Sequence, residues 1–143
     1  MEKDLLQQVL DKLMEYTLSS NEDISTHLKI SDNLEEIAPD VGKYIIEFAY
    51  RDIYSRDGLT NQQRALITLS SLVTQGTEPQ LELHINTTLT SWLTASEVVE
   101  AIIQLIPYTG FPRVLNALTL AKKVFTQRNL EVSYNEETKL VSE

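Results

Sequence analysis

The sequence predicts an all-α protein. Three observations carry that expectation: apolar residues recur at spacings of three and four along most of the chain, glycine and proline number only four each, and the segments between them open on helix-capping signals. Leu6, Val9, Leu10, Leu13 and Met14 share one face of a helix expected over residues 3–18. The polar run from Ser19 to Asp23 ends it, and residues 19–33 read as a linker. After a short turn at residues 34–38, a second helix is expected over 40–54, with Val41, Tyr44, Ile45, Phe48 and Ile53 facing inward.

Three further helices announce their own starts. Thr60-Asn61-Gln62-Gln63 has capping-box spacing, in which the threonine hydroxyl and the glutamine amide satisfy free backbone groups; the helix runs through Leu66, Leu69, Leu72 and Val73 to Gln75, and Gly76 breaks it. Thr77-Glu78-Pro79 suits a first helical turn, because proline loses no needed N–H there, and that helix carries Leu81, His84, Ile85, Thr88 and Leu89. Thr94-Ala95-Ser96-Glu97 repeats the capping box. Its helix holds Val98, Ala101, Ile102, Leu105 and Ile106 and is expected to reach Tyr108, with Gly110 as a left-handed cap. Pro112 then starts a helix to about residue 129, with Val114, Leu115, Leu118, Ala121 and Val124 or Phe125 inward and Arg113, Lys122 and Lys123 outside. Residues 131–134 read as an extended piece, either mobile or lying on a neighbouring subunit.

Composition narrows the function classes. The 143 residues contain no cysteine, which removes disulfides, thiolate metal sites and any thiol nucleophile from this chain. A net charge of -9 opposes nucleic acid and anionic membranes as partners. The acids concentrate at the ends: residues 1–40 hold ten acids against three bases, whereas 41–128 hold seven against eight, so the near-neutral middle is the expected functional body. No apolar stretch reaches the ~18 residues of a membrane span, and residues 1–15 lack the basic start and apolar core of a secretory signal, so a cytoplasmic location is expected. The two histidines stand 57 positions apart without a metal-ligand spacing, and His27 reads as exposed; neither a metal nor a phosphate or dinucleotide loop can be written on this chain. No cofactor is expected.

Residues 56–125 resemble the carboxymuconolactone decarboxylase family, the small all-helical group that also contains alkylhydroperoxidase D. The resemblance rests on Arg56-x-Gly58-Leu59-Thr60 leading into Arg64-x-Leu66, on Glu82-Leu83-His84, on the Leu93 to Glu97 turn, and on Pro107-Tyr108-Thr109-Gly110-Phe111-Pro112 followed by Asn116-Ala117. It implies a helical bundle built around an antiparallel hairpin, a homo-oligomer, trimer or hexamer, and an active site near the helix that carries His84. The expected organisation is an N-terminal helix and linker (1–35), the family domain (36–130) and a C-terminal tail (131–143). Several helices are apolar on more than one face, as at Ile102-Ile103 with Leu105-Ile106, which independently points to burial by another subunit.

The peroxidase branch of the family uses a Cys-x-x-Cys pair, a histidine four residues later and a proton-relaying glutamate one helix earlier. Those positions fall here on Thr77, Gln80, His84 and Ala65. A hydroxyl and a neutral amide cannot replace a thiolate, so cysteine-dependent peroxide chemistry is disfavoured. The decarboxylase branch needs no cysteine and implies acid–base chemistry on a small lactone, carboxylate or carbonyl compound, with His84 the surviving group that exchanges a proton near neutral pH. Helical spacing puts Thr77 and Gln80 on the same face as His84. Tyr108 either donates a hydrogen bond to substrate or packs its ring; Arg64 either binds a substrate carboxylate through its fork or bridges to Asp57 or Glu82. His84 itself either performs catalysis or is a hydrogen-bonded core residue. A non-catalytic scaffold of the same fold is the competing expectation. Trp92 stands where the family usually has a left-handed glycine, so either the turn differs or the ring fills a neighbouring surface or the pocket.

Overall fold

The computed structural model describes residues 33–132; the expected helix at 3–18, most of the linker, His27 and the tail beyond 132 lie outside them. The described residues form helices and no strand. Helix α1 (Asp40–Tyr44) passes into a π-helix (Ile45–Tyr54), followed by α2 (Asn61–Gln75), α3 (Glu78–Thr90), α4 (Ala95–Ile103), α5 (Ile106–Thr109) and α6 (Phe111–Gln127). The two-residue link between α2 and α3 makes them an antiparallel hairpin. α6 lies against α3, α4 and α2.

Capping chemistry sets the boundaries. Thr60 and Thr94 both form complete capping boxes, with Gln63 and Glu97 returning the bond to the cap N–H. Three helices end by one device, a single left-handed residue: Gly76 (φ 72°) after α2, Trp92 (φ 71°) after α3 and Asn129 (φ 55°) after α6. At Gly76 the Thr77 N–H reaches the Leu72 carbonyl, and at Asn129 the Leu130 N–H reaches the Phe125 carbonyl, the double-bonded Schellman closure that satisfies otherwise free carbonyls. Trp92 therefore adopts the conformation expected of a glycine, with its ring 79% exposed.

The core lies where all four long helices meet. Leu69 and Val73 of α2, Leu81 and Ile85 of α3, Val98 and Ile102 of α4, and Val114 and Val124 of α6 are fully or almost fully buried. Each contributes about 1.5–3 kcal/mol relative to an exposed side chain. Ala117 and Ala121, one turn apart on α6, are equally buried, and their small side chains let α6 sit close to the hairpin.

Four expectations are corrected. Leu115, expected inward, is 56% exposed, because the stripe that α6 buries runs through Val114, Ala117, Ala121 and Val124 and Leu115 lies about 100° round the helix from Val114. The 40–54 helix exposes Tyr44, Phe48 and Ile53, and buries Tyr50 instead, in a small separate cluster with Ile45 and Tyr54. The reason is the π-helical i→i+5 bonding of Ile45–Tyr54, which moves the facing register from three-and-four to four-and-five, so that Ile45, Tyr50 and Tyr54 align and the two tyrosine rings stack at 5.1 Å. The helix expected to run to Tyr108 stops at Ile103, because Pro107 has no N–H to offer the Ile103 carbonyl; helical bonding resumes only in α5. Gly110 is not a left-handed cap: at φ 91°, ψ 162° it occupies a region open essentially to glycine alone, and it serves as the N-cap of α6.

Residues 130–132 lie on their own bundle, Val132 packing against the main core. At the hairpin turn Arg113 Nη1 donates to the Gln75 carbonyl at 2.7 Å, and a Cβ on Gly76 would stand 2.0 Å from that nitrogen. Gly76→Ala therefore meets both left-handed strain and displacement of Arg113, and is expected to lower stability by about 2 kcal/mol in urea denaturation. Trp92→Gly relieves the same kind of strain and is expected to raise stability of the isolated subunit by about 1 kcal/mol, read in the same experiment at high dilution.

Candidate functional site

His84 sits in the middle of α3, half-buried, on the margin of the stripe formed by Leu81, Ile85 and Thr88, all three of which are buried. The Thr88 hydroxyl donates to the His84 carbonyl at 2.7 Å, fixing this turn of the helix. Gln80 precedes His84 by one helical turn on the same side, and Thr77 is the N-cap of the helix, with non-helical φ -85° and ψ 79°; both are exposed. The Thr77 hydroxyl lies 3.5 Å from the Leu72 carbonyl, at the outer limit of a hydrogen bond.

The hairpin orders the remaining candidates by height. Thr109 of α5 meets Thr74 of α2 through their hydroxyls at 3.0 Å, which places the neighbouring Tyr108 at the turn end of the hairpin with Thr77. Tyr108 is 80% exposed. Arg64 lies at the opposite end of α2: at 1.5 Å per residue it is about 16 Å from Gln75, whereas His84 is about 9 Å into α3, so Arg64 stands roughly 7 Å beyond the level of His84. The expected Arg64 bridge to Asp57 or Glu82 does not form. Arg64 Nη2 donates instead to the Arg56 carbonyl at 2.6 Å, and its Nε is buried with no hydrogen-bond partner. Glu82 pairs with Lys123 at 2.9 Å, on the side of α3 that faces α6.

That second polar side of α3 was missed by sequence reasoning, which placed Lys123 outside. Glu82 and Asn86, one turn apart, receive Lys123 and Arg128 respectively, the latter through Arg128 Nε to Asn86 Oδ1 at 2.6 Å. The legible signal was the pairing of two polar residues at i, i+4 with two basic residues on a single later helix end. These contacts clamp α6 to α3. Elsewhere, the exposed Asp52 carboxyl is held below the ordinary carboxylate value by the hydrogen bond it accepts from Arg51 at 2.8 Å.

Two surface grooves are built from other residues. One, of about 640 Å³, runs between Leu89, Leu93 and the start of α4 on one side and Arg128, Leu130 and Glu131 on the other. The second, of about 330 Å³, lies between α4 and α6. Neither includes His84, Gln80, Thr77, Tyr108 or Arg64.

The model of the carboxymuconolactone decarboxylase family matches residues 39–123, from the start of α1 through most of α6. The chain belongs to that family. Among its curated relatives, the 4-carboxymuconolactone decarboxylase of Acinetobacter baylyi is 31% identical over 94 residues, 66% of this chain and 70% of the relative. An uncharacterised 15.0 kDa protein of Paracoccus denitrificans is 28% identical over 100 residues, covering 68% and 75%. The nitrosuccinic acid decarboxylase of Metarhizium robertsii is 30% identical over 79 residues, 55% of each chain. No described helix is long and apolar enough to cross a membrane.

Because His84 is only half-buried, its ring can be replaced without opening a core cavity. His84→Gln is expected to keep the fold and to lose at most about 1 kcal/mol, measured by far-UV circular dichroism and urea denaturation.

Proposed function

We propose that the protein is a cofactor-independent decarboxylase of small carboxylic acids, working by acid–base chemistry at His84. The observation that carries this reading is the single titratable ring of α3, half-buried at mid-height of the family hairpin, with two polar side chains on its own face and a cationic fork with an unspent buried N–H on the adjoining helix. Two of the relatives are named decarboxylases, one of 4-carboxymuconolactone and one of nitrosuccinic acid. Both compounds carry a carboxylate and a group that accepts electrons.

In the proposed reaction the C–CO₂ bond breaks, and its electron pair passes to the electron-accepting group of the substrate. His84 as imidazolium then gives one proton to carbon, and the neutral ring regains a proton from water. Arg64, whose side chain can span the roughly 7 Å between its level and that of His84, holds a carboxylate that stays on the substrate, and Gln80 orients the reacting end by a hydrogen bond; Thr77 and Tyr108, at the turn end of the hairpin, line the approach to His84. Location in the cytoplasm and assembly as a trimer or hexamer belong to the same reading. The assembly is supported by an apolar strip at the turn end, where Tyr108 (80%), Phe111 (62%) and Leu115 (56%) are exposed. A second copy over that strip encloses Tyr108 and dries the His84 face.

The second reading, a non-catalytic binding oligomer, is favoured by one observation: Thr77, Gln80 and Tyr108 are all exposed in the single chain. One experiment separates the two. Carboxylated lactones and other activated carboxylic acids are screened by thermal shift, and hits are assayed for CO₂ release. A hit at 100 times its dissociation constant adds about 2.7 kcal/mol of stability. His84→Gln is expected to keep that shift while losing 10²- to 10⁴-fold in kcat, and Arg64→Met to lose the shift itself. If no acid binds, or if CO₂ release survives His84→Gln unchanged, the scaffold reading replaces this one.

A further inference from the structure

α4 and α6 run antiparallel along one face of the bundle. α6 starts at the hairpin turn, where Arg113 meets Gln75, whereas α4 starts beyond the other end of α3 and leads back toward Thr109 beside Thr74. The groove between them is apolar, with Val99 and Ile103 on the α4 side and Leu118, Ala121 and Phe125 on the α6 side. Its rims carry opposite charge. Glu100, exposed, stands about 60° round α4 from Ile103 on the side away from Val99, and exposed Lys122 lines the α6 edge near the same level. Neither forms an ion pair among the described residues.

Two exposed apolar features lie at opposite ends of these helices. Leu115 and Phe111, 56% and 62% exposed, stand seven and eleven residues before Lys122, which is about 10 and 16 Å toward the turn end. Trp92, 79% exposed and left-handed, lies toward the other end: the Thr94 cap is about 9 Å from Glu100, and Trp92 is two residues further. A single copy cannot bring these features together. A two-fold axis through the middle of the groove does, because it exchanges the rims and reverses the direction along them. Glu100 of each copy then meets Lys122 of the other, and Trp92 of each arrives level with Leu115 and Phe111 of the other. One operation gives both matches, and such self-complementarity is what an isologous contact requires.

We propose that the α4–α6 face is a two-fold interface between two copies of this chain, with Glu100 paired to Lys122 of the second copy and Trp92 seated on its Leu115 and Phe111. The inference rests on the assembly part of the proposed function and names the surface that covers the apolar strip beside Tyr108; it does not depend on catalysis at His84. The strained tryptophan then gains burial of its ring in the assembly. The contact also selects between the two assemblies, since a three-fold ring contains no two-fold axis, whereas a hexamer of two such rings does.

Sedimentation velocity of the full chain over a range of concentrations tests it, with folding of each variant checked by circular dichroism. The wild type is expected to sediment as an even-numbered oligomer. Glu100→Lys and Lys122→Glu are each expected to weaken the two-fold contact by about tenfold in dissociation constant. A one-to-one mixture of the two variants is expected to restore it, because each then finds opposite charge only on the other. Overall repulsion cannot imitate this pattern: at a net charge of -9, Glu100→Lys reduces the repulsion and Lys122→Glu increases it. Trp92→Gly, which relieves strain within the subunit, is expected to weaken the same contact by about tenfold. Charge variants or Trp92→Gly that leave association unchanged, a mixture that stays dissociated, or a trimeric wild type overturns the proposal and leaves the assembly reading standing. A wild type that is monomeric at every concentration overturns both.

Discussion

The structure depends on a helix that is polar in sequence yet surrounded by protein. From Leu81 to Ser91 no residue of α3 or its C-cap is exposed, although five of the six residues 86–91 are Asn, Thr or Ser. A buried hydroxyl or amide without a partner costs about 1–3 kcal/mol, so such a helix can occupy the centre of a bundle only if its side chains are satisfied. They are satisfied locally. Asn86 donates to the Glu82 carbonyl, Thr87 to Leu83, Thr88 to His84, and Thr90 and Ser91 both to Thr87. Because each bond is made within the helix, the flanking helices need supply only apolar surface and the two clamps at Glu82 and Asn86. One rung of this ladder engages the His84 carbonyl, so the backbone of the turn that carries the ring takes part in the same local satisfaction.

Satisfying α3 in this way transfers the demand to its ends. The helix must stop where its polar run stops, and it does so at Trp92 in a left-handed conformation that disfavours a branched or bulky side chain. The neighbouring helices use Gly76 and Asn129, which tolerate that conformation better. The strain is thus kept at an aromatic residue that is 79% exposed in the single chain and so is not offset by burial of its ring there.

The elements that sequence made legible are those governed by local chemistry. Both capping boxes, the break at Gly76 and the buried stripe Leu69, Val73, Leu81, Ile85 follow from residue types at fixed spacing, and all stand as read. The misread elements turn on geometry that spacing does not encode. Nothing in Ile45 to Tyr54 distinguishes π from α bonding, and that difference alone exchanges Phe48 for Tyr50 as the buried aromatic. The break after Ile103 was legible in Pro107 but was outweighed by the apolar run on either side of it. At the candidate site, the one-turn step from Gln80 to His84 is a matter of helical period, whereas Thr77 stands at the N-cap, where the backbone is not helical. The partner of Arg64 was not legible, since the Arg56 carbonyl belongs to a loop whose path no pattern of side chains sets.

The same distinction bears on what chemistry remains to a family member without cysteine. At the two positions where a thiol pair would stand, Thr77 and Gln80 are exposed side chains that carry no titrating group near neutral pH. Among the described residues His84 is the sole histidine, so proton transfer near neutrality is confined to one ring with its backbone carbonyl already engaged by Thr88. A proton donor facing bulk water gains little over water itself, because general acid catalysis is strengthened by a dry and preorganised surrounding. In the single chain the turn end of the His84 face is open at Thr77, Gln80 and Tyr108. On the proposed reading catalysis and assembly are then one question, because a half-buried histidine gains a dry surrounding only from whatever closes that end, a second copy or the substrate itself.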